Sequence, residues 1–127
     1  MLAFGGSLLI AGCSFIVPPS DRRIGVGNPA GSGYLYPGKP IACEQTSRCN
    51  DLLAEIDRWV ARVMPERSPI AGVAFHTFVD EGGRSILMTR SGGNTWLAVV
   101  TLADGAQIGL TVGCGIGIHP EACFVNP

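Results

Sequence analysis

The second half of the chain alternates short apolar runs with clusters of turn residues, and this pattern constrains the fold more than any other feature. Four runs rich in β-branched and aromatic residues follow Pro69, at residues 70–79, 84–90, 95–103 and 106–112. Glycine-containing segments separate them, and Asp104-Gly105 is the strongest signal for a two-residue type I′ hairpin turn. Runs of this length and spacing predict a four-stranded antiparallel meander.

Apolar residues alternate within these runs, which assigns them to the two faces of the predicted sheet. The first face carries Val73, Phe75, Thr77, Val79, Trp96, Ala98, Val100, Leu102, Ile108, Leu110 and Val112. The second face carries Ala74, His76, Phe78, Leu87, Leu97, Val99 and Thr101. This second set is too apolar for a solvated surface, so we expect either a partner or another segment, such as the tail 124–127, to cover it.

A helix is predicted over residues 47–63, with Ser47 or Thr46 as its N-cap and Pro65 closing it. Its core-facing stripe consists of Leu52, Ile56, Trp59, Val60 and Val63. A charged stripe at helical spacing, which we expect to be solvated, consists of Asp51, Glu55, Arg58 and Arg62.

These elements predict an α+β domain in which one N-terminal helix packs on the four-stranded antiparallel meander. The order of one helix followed by strands resembles cystatin-like and β-lactamase-inhibitor-like proteins. The resemblance covers element order and no residue motif, so it implies an architecture and no activity.

The region before the helix has the composition of a linker. Residues 14–42 contain five Gly and five Pro among 29 residues, without apolar spacing typical of a helix or a strand. We therefore predict a flexible tether over 13–42 and a folded domain over 43–127. A flexible chain of that length would span roughly 30 Å end to end.

The N-terminus is an uncharged apolar run from Leu2 that ends in Leu9-Ile10-Ala11-Gly12-Cys13. This segment resembles the signal peptide and lipobox of bacterial lipoproteins, although no Lys or Arg precedes the apolar run. The resemblance implies a signal peptide over 1–12, acylation with diacylglycerol and palmitate at Cys13, and anchoring on the extracytoplasmic side of the cell envelope. The alternative is an apolar N-terminal strand with Cys13 as a buried thiol.

Four cysteines besides Cys13 agree with export, because oxidising compartments permit disulfides and small domains gain stability from them. Cys43 and Cys49 flank the predicted helix start, and Cys114 and Cys123 flank a loop rich in Gly and Pro. We favour pairing these nearest neighbours over the two other connectivities.

Few residues indicate catalysis. Cys114, His119 and Cys123 have a spacing that suits a metal ion, but thiols in an exported protein form disulfides instead. His76 precedes Asp80 and Glu81, yet a strand would carry these carboxylates away from the imidazole. We therefore predict no cofactor or metal.

The sequence favours a non-catalytic, lipid-anchored envelope protein whose small domain binds an envelope protein or a small ligand. The alternative is a small hydrolase or metal-dependent enzyme centred on His119 or His76. A formal net charge of −1, without a basic cluster beyond Arg22-Arg23, argues against nucleic acid as a partner.

Overall fold

A computed structural model of the protein describes residues 24–28, 33–46, 48–90, 93–115 and 123–127. The regular elements in chain order are β1 (Val26–Gly27), β2 (Tyr34–Ile41), α1 (Cys49–Val63), β3 (Gly72–Val79), β4 (Ser85–Ile86), β5 (Thr89–Arg90), β6 (Gly93–Thr101), β7 (Gln107–Cys114) and β8 (Cys123–Asn126). Short 3₁₀ turns at Cys43–Thr46 and Pro65–Arg67 precede and follow α1.

The strands form an antiparallel sheet whose main path is β1-β2-β3-β6-β7-β8. β4 pairs with β3, and β5 pairs with β6. The prediction of a four-stranded meander is therefore wrong. β3 pairs directly with β6, because the predicted strand over 84–90 forms only two strands of two residues each. The cystatin-like element order also fails, since β1 and β2 precede the helix.

Part of the predicted tether belongs to the sheet. β2 occupies Tyr34–Ile41, and its register shifts between Pro37 and Pro40 where it pairs with β3. Proline is tolerated where a strand has a free edge or a bulge, and β1 pairs with only Tyr34 and Leu35 of β2 among the described residues. The described fold therefore begins at Ile24. Residues 1–23, including Cys13, lie outside the described part of the chain.

Helix α1 begins at Cys49, two residues after the predicted start, and ends at the predicted Val63. Its buried side chains pack on one face of the sheet to form the first core, whose members are Leu52, Ile56, Trp59, Val60, Phe75, Ala98, Val100, Leu102, Leu110 and Val112. Val63 departs from the predicted stripe, because 49% of it is exposed. The charged stripe is solvated and carries ion pairs between Arg48 and Asp51 and between Glu55 and Arg58.

The opposite face of the sheet is covered by the chain itself. Its second core consists of Ile24, Val26, Leu35, Phe78, Leu97 and Val99, with Ile86 and Met88 packed against them. The expected cover from the tail 124–127 is found only at the edge of the sheet, where β8 pairs with β7 and Phe124 lies against Gly113. The N-terminal segment 24–26 covers Phe78, Leu97 and Val99, while Ala74 on the same face of β3 is exposed.

Two disulfides confirm the predicted pairing. Cys43 is bonded to Cys49, with their Cα atoms 5.1 Å apart, and this bond joins the 3₁₀ turn to the first residue of α1. Cys114 and Cys123 lie opposite each other on β7 and β8, with their Cα atoms 3.9 Å apart. The second bond therefore fastens the edge strand to the sheet.

The hairpin between β6 and β7 differs from the predicted two-residue type I′ turn. Gly105 N–H donates to the Leu102 carbonyl, and Leu102 N–H donates to the Ala106 carbonyl. This pattern encloses three loop residues and fits a type I turn followed by a glycine bulge. Gly105 has a φ of 89°, so the predicted need for glycine at this position is correct.

Candidate functional site on the outer face of β2, β3 and β4

Among the described residues, those considered for chemistry do not assemble into a site. Cys114 and Cys123 are bonded to each other, and His119 lies outside the described residues. Within the described ranges, no group of three or more His, Cys, Asp and Glu side chains is arranged to hold a metal ion.

His76 is a half-buried residue of β3 between Pro40 on β2 and Leu97 on β6. Its Nδ1 atom lies 3.2 Å from the Gly38 carbonyl oxygen. Asp80 does not serve this imidazole, because four residues of strand separate them by roughly 13 Å. The Asp80 Oδ1 atom accepts hydrogen bonds from the N–H groups of Gly82 and Arg84, each at 2.9 Å, and so fixes the turn after β3.

In the described part of the chain, a surface on the helix side of the sheet lies outside the first core. Tyr36 on β2 pairs with Val79 on β3, and Val79 pairs with Ser85 on β4. Directly paired residues point to the same side of a sheet, so these three side chains form a row. We call the surface around them the tyrosine–leucine face, and its members are Tyr34, Tyr36, Thr77, Val79, Ser85 and Leu87.

Leu87 and Tyr34 are the most exposed apolar members of this face. Leu87 is 79% exposed and lies between Ile86 and Met88, both of which pack on the second core. Its own side chain therefore projects away from that core. Tyr34 is 57% exposed, whereas its neighbour Leu35 is 1% exposed in the second core.

Thr77 and Val79 pack against the backbone of Gly38 in the middle of the tyrosine–leucine face, where a larger residue would not fit. A Cβ atom on Gly38 would lie 2.7 Å from Thr77 Oγ1 and 2.8 Å from Val79 Cγ1. The first core reaches only to Phe75 on β3 and Ile41 on β2, so α1 does not cover this part of the sheet. The result is a shallow apolar surface with tyrosine hydroxyl groups.

Charged residues of both signs border this face. Lys39 is exposed in the bulge of β2, where its N–H donates to Thr77 Oγ1 at 2.9 Å. Arg84 and Glu81 are exposed in the turn that follows β3. Lys39 and Arg84 therefore place two positive charges at the border of this apolar face.

The shifted pKa values belong to surface ion pairs elsewhere. The pKa of Asp104 is lowered because the Ala106 N–H and the Arg67 side chain donate hydrogen bonds to its carboxylate. The pKa of Arg58 is raised by its hydrogen bond and ion pair with Glu55. These ion pairs link Arg67, in the 3₁₀ turn after α1, to the hairpin and connect two residues on the surface of α1.

Sequence reasoning missed the tyrosine–leucine face because it assigned Tyr34 and Tyr36 to a tether. The signal that could have found it is the alternation of Tyr34, Leu35 and Tyr36, an aromatic–aliphatic pattern typical of a strand with one buried face.

No helix of the described part of the chain has the length and apolar character needed to cross a membrane. Comparison with known proteins found no matching family model, no matching curated protein and no matching solved structure.

Proposed function

We propose that this chain is a lipid-anchored protein of the bacterial cell envelope whose domain acts by binding an envelope protein or a small ligand, without catalysis. The observation that carries the proposal is the segment Leu9-Ile10-Ala11-Gly12-Cys13 at the end of an uncharged apolar run. Small residues before Cys13 suit a signal peptidase, and the thiol would then carry the lipid.

The disulfides support an exported protein. Cytosolic proteins rarely keep structural disulfides, whereas envelope and secreted proteins commonly do. The bonds Cys43–Cys49 and Cys114–Cys123 use four of the five cysteines of the chain, and the remaining one is Cys13. A lipid on Cys13 would therefore leave no free thiol in the mature protein.

Binding is favoured over catalysis by the kind of surface that the domain exposes. The tyrosine–leucine face is open, shallow and apolar, and tyrosine is a residue that contacts both apolar and polar partners. His76, the one histidine in the described residues, contacts a backbone carbonyl and is remote from Asp80.

The anchor is tested by expressing the full chain in a bacterial host and separating detergent and aqueous phases. Wild type and the control Ser14→Ala are expected in the detergent phase, with the mass of a diacylated Cys13 N-terminus. Cys13→Ala is expected as an unmodified form without the lipid mass. Wild type in the aqueous phase, without lipid mass, would show that the anchor proposal is wrong.

Peptide mapping without reduction separates the binding proposal from the enzyme alternative. The expected result is two linked peptide pairs, one containing Cys43 and Cys49 and the other containing Cys114 and Cys123. Free thiols at Cys114 and Cys123 together with bound zinc would favour a metal-dependent enzyme instead.

A further inference from the structure

The described fold begins close to the lipidation residue. Ten residues, 14–23, separate Cys13 from Ile24, the first residue of the second core. A flexible chain of this length spans roughly 18 Å on average. A domain of this size has a radius of gyration of about 13 Å, so the average span of the connection is shorter than the domain is wide. With Cys13 lipidated, Ile24 is therefore held close to the surface that carries the anchor.

The chain enters the fold beside the tyrosine–leucine face. A Cβ atom on Gly25 would lie 3.1 Å from Cδ1 and 3.2 Å from Cε1 of Tyr36. The Tyr36 ring thus packs against the backbone one residue after Ile24. Among the apolar surfaces of the described residues, this face is the one that contacts the entry point, whereas the exposed Val63 is the last residue of α1.

The chemistry of the face suits a lipid headgroup region. Tyrosine is enriched at membrane interfaces because its ring is apolar and its hydroxyl stays hydrated. Leu87 adds an apolar side chain that is 79% exposed. Asp21, Arg22 and Arg23 directly precede Ile24 in sequence, and Lys39 and Arg84 are exposed on the fold. These four cations exceed the carboxylates Asp21, Asp80 and Glu81 by one. Cations near an interface are attracted to anionic lipids.

We propose that the tyrosine–leucine face rests on the membrane surface that carries the anchor. The inference depends on the proposed lipidation of Cys13 and assigns the partner of this face as the headgroup region of the bilayer. Tyr34, Tyr36 and Leu87 enter the interface, and the contact between Gly25 and Tyr36 places them beside the start of the described fold.

Tryptophan reporters in the full-length lipidated protein test this contact. Leu87→Trp places a reporter on the face, and Val63→Trp places a matched control at an exposed apolar position away from it. Both proteins are reconstituted through their anchors into vesicles of equimolar phosphatidylethanolamine and phosphatidylglycerol, with and without lipids brominated near the headgroup. The emission of wild type, from Trp59 and Trp96, is subtracted as the baseline.

The expected result is strong quenching and a shift to shorter wavelength for Leu87→Trp, with little change for Val63→Trp. Equal quenching at both positions, in protein that sediments with the vesicles, would overturn the inference and leave the anchor intact. A shift for Leu87→Trp that depends on protein concentration and not on bromine would overturn it in favour of a second copy of the chain. Failure of wild type to bind vesicles would overturn both the anchor and the inference.

Discussion

The backbone of Gly25 crosses β7 at Gly109, and the absence of a side chain on Gly109 makes this approach possible. A Cβ atom on Gly109 would lie 3.2 Å from the Gly25 carbonyl oxygen and 3.3 Å from Ile24 Cγ2. The N-terminal segment therefore closes over a strand that lies three strands away from β2 in the sheet. This contact makes residues 24–26 part of the fold and not of a tether.

We expect Gly109→Val to destabilise the protein by about 1–3 kcal/mol, because the added side chain would overpack the site under Gly25. The matched control is Gly72→Val on β3, where a Cβ atom would have nothing within 4 Å. Chemical denaturation measures both. A stability loss for Gly72→Val as large as that for Gly109→Val would contradict the close approach.

Leu35→Ala should lower the free energy of unfolding by about 2–5 kcal/mol, since it removes a fully buried side chain from the second core. Tyr34→Ala, at the exposed neighbouring position, should change stability by less than about 0.5 kcal/mol. The comparison decides whether the folded domain includes β2. If Leu35→Ala is as harmless as Tyr34→Ala, residues 34–41 are not part of the stable structure.

Gly105→Val is expected to cost about 1–3 kcal/mol, because a β-branched residue is strained at the positive φ that this hairpin requires. Gly27→Val on β1 is the control, since Gly27 is exposed, has no left-handed φ and would place its Cβ in open space. Urea denaturation of the two variants should show a loss only for Gly105→Val. Equal midpoints would argue against the three-residue loop.

Removal of the Cys114–Cys123 bond should destabilise the protein by about 2–3 kcal/mol on the loop-entropy model. The variant is Cys114→Ala combined with Cys123→Ala, and the matched pair is Cys43→Ala combined with Cys49→Ala, which opens a loop of similar length. Denaturation with and without a thiol reductant provides the measurement. A reductant should have the larger effect on wild type, and a wild type insensitive to it would contradict the presence of the bonds.

Secondary structure was predictable from the sequence where the local residue pattern agrees with the tertiary environment. Helix α1 has a clean apolar stripe and a proline after its end, and its limits were predicted to within two residues. Strands β3, β6 and β7 alternate regularly, so their existence and facing were also predictable. The disulfide pairing followed from cysteines that flank single local features.

Secondary structure was not predictable from the sequence where tertiary contacts override the local composition. β2 contains Pro37, Gly38 and Pro40, which indicate a loop when they are considered alone. A free edge and a register shift accommodate the prolines, and only the folded sheet provides these conditions. The pairing of β3 with β6 could not be predicted either. Local turn signals do not show that β4 and β5, which lie between them in sequence, are outside the main strand order.

If Cys13 is lipidated as proposed, the burial of Ile24 and Val26 restricts how proteolysis can release the domain from its anchor. Both side chains belong to the second core, at 8% and 2% exposure. A protease that cuts after Val26 would take these two side chains out of the core and leave Leu35, Leu97 and Val99 uncovered. Release of an intact domain from the proposed anchor therefore requires cleavage between Cys13 and Ile24, and a form released in this way should begin within residues 14–24.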